Sequence, residues 1–333
     1  MEVIAGVAVT VTEETQVSEA RRRAMSVAAT FGFDDTARGR VALVVTEVAT
    51  NLIKHGGGGE VLVGPAASVA RGVQVIGIDK GRGMPSVAES LRDGYSTAGS
   101  PGTGLGAIQR ASTSFDVYST PARGTVIAAT VYPDSAAPPM AGGVSVPAPG
   151  EIECGDGWAL WSAGKLTSIF VCDGLGHGAG AAHAARLAIA TFRSHAERPA
   201  AEVIRRVFDA LKATRGAAVA VAALDEREGR IVFCGLGNIS GTVIHPDGTA
   251  HHMISHGGIA GHTMLRLQEL SYAWPPGSLV VLHTDGVATN WTLGRYDGLE
   301  LRRPDVIAGL LYRDFRRGRD DATVVVARNV AAS

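Results

Sequence analysis

This 333-residue sequence contains few cysteines and has almost no net charge. The three cysteines, Cys154, Cys172 and Cys234, match no zinc-ligand spacing, and an odd number cannot form a complete disulfide framework. We therefore interpret them as buried thiols in a reducing compartment. The net charge of −1 argues against a general nucleic-acid binder, because such a protein needs a basic excess to displace counterions.

Long apolar runs are also missing. No run approaches the roughly 20 residues that span a bilayer. Glu2, Glu13 and Glu14 interrupt the opening of the chain, where a signal sequence would be basic and then apolar. We therefore expect a cytoplasmic protein that has neither a membrane nor a nucleic acid among its partners.

The sequence does contain enough apolar material for packed domains. Hydrophobic residues make up 46% and charged residues 19%, which is typical of globular chains, and the length suits two domains. Residues 133–150, PDSAAPPMAGGVSVPAPG, are rich in Pro, Ala and Gly and nearly uncharged, so we predict a linker there. The predicted domains are then residues 1–132 and residues 151–330.

Both domains are predicted to mix helices and strands. In the first, we predict a strand near 3–11, helices over 13–30, from Asp34 or Asp35 to about His55 and over 105–112, strands near 61–63 and 73–79, and a hairpin over 115–131. In the second, we predict helices over 180–194 and 200–214 among strands at 158–162, 166–172, 217–224, 231–234, 242–245, 279–283 and 323–327. The expected fold is α/β (α+β): a sandwich with helices on one sheet face, followed by paired sheets flanked by helices.

One face of the second predicted helix carries side chains suited to catalysis. Glu47, Asn51, Lys54 and His55 are spaced by four and by seven or eight residues, so they share a helical face. A carboxylate and an amide four residues apart can serve as a base and as an oxygen ligand for Mg2+. A solvated helix surface would show the same pattern, so the interpretation depends on the motifs that follow.

Two glycine-rich motifs lie downstream of this helix. IDKGRGMP places Asp79 at a predicted strand end, where a buried carboxylate can accept a hydrogen bond from an adenine amino group, and Gly81 and Gly83 let the backbone approach a base and sugar. GTGLG, at residues 102–106, begins a predicted helix whose backbone N–H groups favour phosphate. A P-loop and a dinucleotide fold both fit poorly, because neither Gly-Lys-Ser/Thr nor a βαβ unit follows.

Together these stretches resemble the GHKL-type ATP-binding fold and, more narrowly, the RsbT-like anti-sigma-factor serine kinases. The similarity covers residues 1–132 and includes ALVVTEVATNLIKHGGGG, IDKGRGM, DGYSTAGSPGTGLGAIQR and RGT. The resemblance implies ATP with Mg2+ and transfer of the γ-phosphoryl group to a Ser or Thr of a STAS-domain partner. It also implies that Glu47 is the catalytic base, that Asn51 holds Mg2+ and that Asp79 reads adenine. The other implied nucleotide-lining residues are Gly81, Gly83, Gly102, Thr103, Gly104, Leu105, Gly106 and Thr125.

The second half contains four separated aspartate motifs. They are GDGW (Asp156), CDGLGHG (Asp173), HTDGV (Asp285) and RDDATVV (Asp320 and Asp321). A single Asp-Gly pair usually marks a turn, but strand ends from two sheets can converge on one cleft. Clustered carboxylates repel one another unless a cation lies between them. All-oxygen ligation suits Mg2+ or Mn2+ better than zinc, and two such ions suit attack on a phosphoester.

The order of these motifs over roughly residues 150–329, with GLGNISG and SHGGIAGH between them, resembles the SpoIIE-type metal-dependent phosphatases, and most of all their RsbX-like members. The resemblance implies a PPM-type α-β-β-α sandwich, two Mn2+ or Mg2+ ions, and hydrolysis without a covalent phosphoenzyme. It also assigns Asp173 and Asp285 to catalysis. The implied metal ligands are Asp156, Asp173, the Gly174 carbonyl, Asp285 and, of its adjacent pair, Asp320 in preference to Asp321.

Two opposing motif sets in one chain predict a bifunctional partner-switching regulator. The first domain would phosphorylate a STAS-domain protein of the anti-anti-sigma or stressosome type, and the second would remove phosphate from that protein or a related one. Two alternatives remain open. The ATP-binding domain would either dock partners and gate the phosphatase without kinase turnover, or sequester a sigma factor directly. A sigma factor or a downstream phosphatase is then a further partner.

Overall fold

The computed structural model describes residues 6–66, 71–91, 104–133 and 140–330 of the chain. They form two units, and the chain passes between them more than once. The N-terminal unit contains the described residues up to 133 together with 298–313, and the C-terminal unit contains residues 140–297 and 314–330. The segment 298–313 therefore belongs to the second predicted domain by sequence and to the N-terminal unit by structure.

The N-terminal unit is built on one five-stranded sheet in which every neighbouring pair of strands is antiparallel. Its elements are β1 (Val7–Val11), α1 (Glu14–Thr30), α2 (Asp35–Asn51), a π-helical turn (Leu52–Gly56), β2 (Gly59–Pro65), β3 (Val73–Ile78), α3 (Val87–Ser90), α4 (Gly104–Ala111), β4 (Ser114–Ser119) and β5 (Thr125–Val131). The strand order is β1-β2-β3-β5-β4. The predicted helices and strands of the described part of this unit are confirmed, with small shifts at their ends.

Helix α2 carries part of the predicted nucleotide site, and its ends have clear local causes. The Asp34 carboxylate accepts a 2.7 Å hydrogen bond from the Ala37 backbone N–H, which caps the helix at its predicted start. Its valines at 41, 44, 45 and 48 are fully buried. The α-helix ends at Asn51, before the predicted His55, because a π-helical turn continues the chain and Gly57 follows in a left-handed conformation.

Helices α1 and α2 pack on one face of this sheet. At Gly77 in β3, a Cβ atom would lie 2.4 Å from Cγ1 of Val48, so α2 approaches the strand too closely for any larger residue. Side chains alternate between the two faces of a strand. The neighbours of Gly77, Ile76 and Ile78, therefore point to the opposite face.

The C-terminal unit contains two further five-stranded sheets. Its elements are β6 (Ala141–Val146), β7 (Asp156–Ala163), β8 (Leu166–Gly174), α5 (Ala179–His195), α6 (Ala200–Ala210), β9 (Ala217–Asp225), β10 (Arg230–Leu236), β11 (Ser240–Ile244), β12 (Ala250–Met253), β13 (Gly258–Ile259), β14 (Thr263–Met264), β15 (Leu270–Ala273), β16 (Leu279–His283) and β17 (Ala322–Arg328). The first sheet has the order β15-β10-β9-β8-β7 and the second has the order β12-β11-β16-β17-β6. The strands and helices predicted for this domain are confirmed.

The two sheets of the C-terminal unit share one apolar core. Side chains of the first sheet, such as Phe233, and of the second sheet, such as Val325, belong to the same buried cluster. Helices α5 and α6 pack on the first sheet, where Phe170 stacks on Phe192 with ring centroids 5.1 Å apart. This sandwich holds the ends of β7, β8, β16 and β17, where the aspartate motifs are located.

Part of the predicted linker is a strand. Residues 141–146 form strand β6, which pairs with β17 from Ala141 opposite Ala327 to Val146 opposite Ala322, so the prediction of a linker is wrong for these residues. The glycines suggested a flexible segment, but Gly143 lies where a Cβ atom would come within 2.9 Å of the Trp158 ring. The close packing of an aromatic ring therefore requires a small residue in this strand. Residues 134–139 of the predicted linker lie outside the described residues.

No helix is predicted from the sequence between the last two strands, yet residues Pro304–Phe315 form helix α7. Every residue from 304 to 313 is buried, which is typical of a helix enclosed on all sides. In the described ranges, no helix is long and apolar enough to cross a membrane.

Candidate functional site

An acidic cluster lies at the strand ends of the C-terminal unit. Asp156 is the first residue of β7, and Asp173 is the penultimate residue of β8. The two are directly opposite each other in the antiparallel pair, so their side chains share one face of the sheet. Asp156 is buried and Asp173 is half-buried.

The second sheet brings further aspartates to this place. Asp285 follows β16 by two residues, and Asp320 and Asp321 precede β17. The Thr284 hydroxyl donates a 2.6 Å hydrogen bond to the Asp156 carboxylate. A strand end of the second sheet is therefore joined directly to the first residue of β7.

The adjacent aspartates 320 and 321 have different environments. Both carboxylate oxygens of Asp321 accept backbone hydrogen bonds, from Ala148 at 2.8 Å and from Gly155 at 2.9 Å, and the residue is 3% exposed. Asp320 is exposed and accepts one bond, from the Asp321 backbone N–H at 2.9 Å. The geometry thus assigns a bracing role to Asp321 and leaves Asp320 accessible to a ligand.

Asp285 is exposed and held by one side chain. Its Oδ2 atom accepts a 2.8 Å hydrogen bond from the amide of Asn238. The next residue must be glycine, because a Cβ atom on Gly286 would lie 1.8 Å from the Asp321 carbonyl oxygen. The chain therefore passes close to the 320–321 segment immediately after Asp285.

Mutual repulsion and burial together disfavour negative charge in this cluster. Burial raises the pKa of Asp156 well above its ordinary value, and the neighbouring Asp173 raises it further. Burial, with additional effects of Asp285 and Asp320, raises the pKa of Asp173 to about 7. The pKa of Asp285 is raised by burial and then by Asp320. Carboxylates placed in this way call for a nearby cation.

Oxygen donors of this kind fit Mg2+ or Mn2+ rather than zinc. Among the described residues, no group of three or more His, Cys, Asp or Glu side chains has an arrangement that could hold a metal ion. Asp285 and Asp320 are exposed, and both are close enough to Asp173 to raise the pKa of its carboxyl group. The carbonyl of Gly174, next in the chain, is one further oxygen of the type these ions accept.

The predicted nucleotide site lies in the N-terminal unit. Asp79 follows the last residue of β3 and is 8% exposed. Its Oδ1 atom accepts a 2.8 Å hydrogen bond from the Gly81 backbone N–H, and its own N–H donates to the Thr125 carbonyl at 3.0 Å. Burial raises the pKa of Asp79, while the Gly81 N–H and the Arg313 charge lower it. Asp79 is thus a buried carboxylate whose position is set by its backbone neighbours.

The loop after Asp79 depends on glycine. Gly83 has a φ of +64°, and a Cβ atom there would lie 2.0 Å from the Thr120 carbonyl oxygen. Thr125 is buried, and its hydroxyl is 2.9 Å from that of Ser119. This arrangement brings the 79–83 loop and the β4–β5 hairpin together around the predicted adenine position.

The face of α2 that carries Glu47 and Asn51 meets the first residue of α4. A Cβ atom on Gly104 would lie 3.3 Å from Oδ1 of Asn51 and 3.8 Å from Oε2 of Glu47. Gly104, Leu105 and Gly106 form the first turn of α4, so its backbone N–H groups lie beside the predicted metal ligand and base. Gly102, Thr103 and the DGYST stretch lie outside the described residues.

Two residues of the acidic cluster were not predicted from the sequence. Thr284 orients Asp156 and Asn238 orients Asp285. Both residues lie in the motifs HTDGV and GLGNISG, but Thr284 is next to Asp285 rather than Asp156 in the sequence, and Asn238 is next to no aspartate. Nothing in the sequence therefore indicates either contact.

Two family models match different parts of the chain. Residues 163–330 match the family Stage II sporulation protein E (SpoIIE), and residues 10–131 match the Histidine kinase-like ATPase domain. The chain belongs to the SpoIIE family through its C-terminal part, which is a phosphatase domain of the PPM type, and its N-terminal part is an RsbT-like ATPase domain.

Two curated relatives match one part of the chain each. The serine/threonine-protein kinase RsbT of Bacillus subtilis (strain 168) is 30% identical over 117 residues, which are 35% of this chain and 88% of RsbT. The phosphoserine phosphatase RsbX of the same organism is 23% identical over 138 residues, which are 41% of this chain and 69% of RsbX.

Solved structures also resemble the chain. One, described as "The bacterial stressosome: a modular system that has been adapted to control secondary messenger signaling", has a TM-score of 0.53 and 28% identity, and covers 56% of this chain and 98% of its own. RsbX in complex with magnesium has a TM-score of 0.50 and 19% identity, and covers 56% of this chain and 94% of its own. The second likeness concerns the fold alone. The fusion of a kinase-like ATPase domain with a phosphatase domain is that of a partner-switching regulator.

Proposed function

We propose that the chain phosphorylates a Ser or Thr of a STAS-domain protein with ATP and hydrolyses phospho-Ser or phospho-Thr on the same protein or a related one. The observation that carries the phosphatase part is the convergence of Asp156 and Asp173 with Asp285 and Asp320 at the strand ends of two sheets. The proposed substrates are STAS proteins of the anti-anti-sigma or stressosome type.

For the phosphatase reaction, the chain's own oxygen donors would hold two divalent cations. Asp156, Asp173, the Gly174 carbonyl, Asp285 and Asp320 are the proposed ligands of two Mn2+ or Mg2+ ions. When bound, such ions supply positive charge for the phosphate oxygens and acidify water. Thr284 and Asn238 orient two of these carboxylates, and Asp321 braces the loop that carries Asp320.

In the kinase reaction, Asp79 accepts a hydrogen bond from the adenine amino group and Asn51 contributes an oxygen ligand for Mg2+. The Glu47 carboxylate accepts the proton of the acceptor hydroxyl. The supporting observation is the position of Gly104 against Asn51 and Glu47, which places a helix N-terminus next to both side chains. Phosphoryl transfer needs mainly positioning and charge neutralisation, which are the roles proposed for these residues. A protein that uses ATP in this way would act in the cytoplasm, and this is the location that we propose.

The test is phosphotransfer from γ-labelled ATP to purified STAS proteins. The D173A variant is used so that the phosphatase cannot erase the product. Label on a Ser or Thr of one STAS protein, followed by its loss when wild-type chain and Mn2+ are added, is the expected result.

The exposed Asp209 on α6 provides the control. D209A should behave as wild type and erase the label, which shows that loss of Asp173 in particular stops hydrolysis. Absence of label with every STAS protein, despite ATP binding, would contradict the kinase part and leave a docking or gating ATPase domain. Label that persists with wild-type chain and Mn2+ would contradict the phosphatase part.

A further inference from the structure

The N-terminal unit contains a segment of chain from between the phosphatase motifs. Residues 298–313 belong to this unit, although by sequence they lie between Asp285 and Asp320. Helix α7 begins within the segment at Pro304. A chain that ended after the predicted ATP-binding domain would lack this helix.

Helix α7 is anchored on the sheet at its first turn. The Asp116 carboxylate in β4 accepts a 2.8 Å hydrogen bond from the Arg303 backbone N–H and a 3.4 Å bond from the Arg302 guanidinium. Arg303 in turn pairs with Asp305 at 3.0 Å. The start of the helix is therefore held at the β4 edge.

The middle of α7 crosses the central strands. A Cβ atom on Gly309 would lie 3.0 Å from Cγ2 of Ile76 in β3 and 3.1 Å from Cγ1 of Val126 in β5. Ile76 points away from α2, since its neighbour Gly77 contacts Val48 of that helix. Helix α7 thus covers the sheet face opposite α2.

The end of α7 reaches the nucleotide loop. The Tyr312 hydroxyl donates to the Glu60 carboxylate in β2 at 3.2 Å. The Arg313 guanidinium donates a 2.9 Å hydrogen bond from Nη1 to the backbone carbonyl of Asp79. Arg313 is 7% exposed and Asp79 is 8% exposed, so this is a buried charge-assisted bond.

The same carbonyl lies against the β4–β5 hairpin, since a Cβ atom on Gly124 would be 2.1 Å from it. Three hydrogen bonds between described residues also help to define the Asp79 conformation. Gly81 holds its carboxylate, Thr125 accepts from its N–H, and Arg313 holds its carbonyl. Of these three, Arg313 alone comes from the far end of the sequence.

We propose that Arg313 is a positioning residue for the ATP site and that the 298–313 segment completes this site. This inference rests on the proposed ATP binding at Asp79. Arg313 acts through Asp79: it fixes the backbone from which the carboxylate meets the adenine amino group. The adenine preference of the ATPase domain is therefore set in part by a segment of the phosphatase sequence.

The test is calorimetric binding of ATP and of GTP, each with Mg2+, to the full-length chain. R313M keeps the apolar stem and removes the donors. It is expected to lower the ATP-over-GTP preference about tenfold, because Asp79 reads an amino group at a position where guanine has none. R313K keeps the charge but not the planar guanidinium, so it is expected to lower the ATP-over-GTP preference by about threefold. In a D79N background, R313M should lower ATP affinity no further, since the two residues act as one unit.

R303Q is the matched control, because it removes a charged group from the same segment that contacts Asp305 rather than Asp79. It should leave the ATP-over-GTP preference unchanged. An R303Q effect equal to that of R313M, or an R313M chain with wild-type preference, would overturn the inference while leaving ATP binding established. If R313M does not fold, an R313K chain with unaltered preference overturns it. A wild-type chain that binds no ATP would instead refute the proposed kinase function.

Discussion

The Thr284 hydroxyl donates to the Asp156 carboxylate at 2.6 Å and accepts from the Thr323 backbone N–H at 3.0 Å. Thr284 and Thr323 are fully buried and Asp156 is nearly so. One hydroxyl therefore links the start of β7 in the first sheet with β17 in the second. The acidic cluster owes its geometry to bonds of this kind, between residues far apart in sequence.

Removing this hydroxyl should weaken metal binding. T284V removes one hydrogen bond to the Asp156 carboxylate and the acceptor of the Thr323 backbone N–H, so we expect a loss of about 1–3 kcal/mol in unfolding free energy. Because residues that orient metal ligands commonly affect affinity by about 10- to 100-fold, the Mn2+ concentration for half-maximal phosphatase activity should rise by about tenfold. T284S keeps the hydroxyl and should remain within about twofold. Equal Mn2+ dependence of T284V and wild type would contradict this role.

The stability of the metal-free protein should fall as pH rises. Burial and neighbouring carboxylates raise the pKa of Asp173 from 3.8 to about 7. A raised carboxyl pKa gives stability that is present at low pH and is lost between about pH 4 and 7. The unfolding free energy of D173N relative to wild type, measured with chelator, should therefore increase by about 2 kcal/mol from pH 5 to pH 8. Added Mn2+ should stabilise wild type at pH 8. If the difference in unfolding free energy between D173N and wild type did not change with pH, the raised pKa of Asp173 would be contradicted.

Substitutions of the two adjacent aspartates should have different effects, one on stability and the other on phosphatase activity. D321N places an amide where two backbone N–H groups converge, so we expect a loss of about 1.5–3 kcal/mol, measured by urea unfolding. D320N changes an exposed carboxylate and should leave stability within about 0.5 kcal/mol, yet it should lower Mn2+-dependent hydrolysis of a phosphoserine peptide. If D320N instead lowered stability and D321N lowered only hydrolysis, Asp320 would be the bracing residue and Asp321 the metal ligand.

If Glu47 is the catalytic base, its substitution should reduce phosphotransfer without weakening ATP binding. E47Q removes the base but keeps the side-chain volume beside Gly104, so ATP affinity should change by less than about twofold, while phosphotransfer should fall by about 100-fold or more. Calorimetry and a γ-labelled ATP assay in a D173A background measure the two quantities. The control N51A should weaken Mg2+-dependent ATP binding. Undiminished transfer by E47Q would exclude Glu47 as the base.

Much of the local structure could be predicted because its causes lie close together in the sequence. Asp34 caps α2 through Ala37, three residues away, and the valines of α2 repeat at helical spacing. Each aspartate motif follows or precedes an apolar strand, which is visible without knowledge of strand pairing. The chemistry of the cluster, oxygen donors suited to a hard cation, was likewise contained in the residue types.

Strand β6 and helix α7 could not be predicted because their causes are distant. The composition of AGGVSV is that of a flexible segment, and it becomes a strand since β17, far along the chain, supplies its hydrogen-bond partners. Helix α7 has an ordinary apolar sequence. Nothing within it shows that Gly309 would fit against Ile76 and Val126 of the N-terminal sheet.

The sequence by itself therefore determined the two domain families, most helices and strands, and the candidate carboxylates. Tertiary structure alone decided which carboxylates brace and which remain accessible, as Asp321 and Asp320 show. It also decided that Arg313 lies beside Asp79. The physical reason is that local propensity depends on neighbours within a few residues, whereas burial and hydrogen-bond satisfaction depend on groups that only folding brings together.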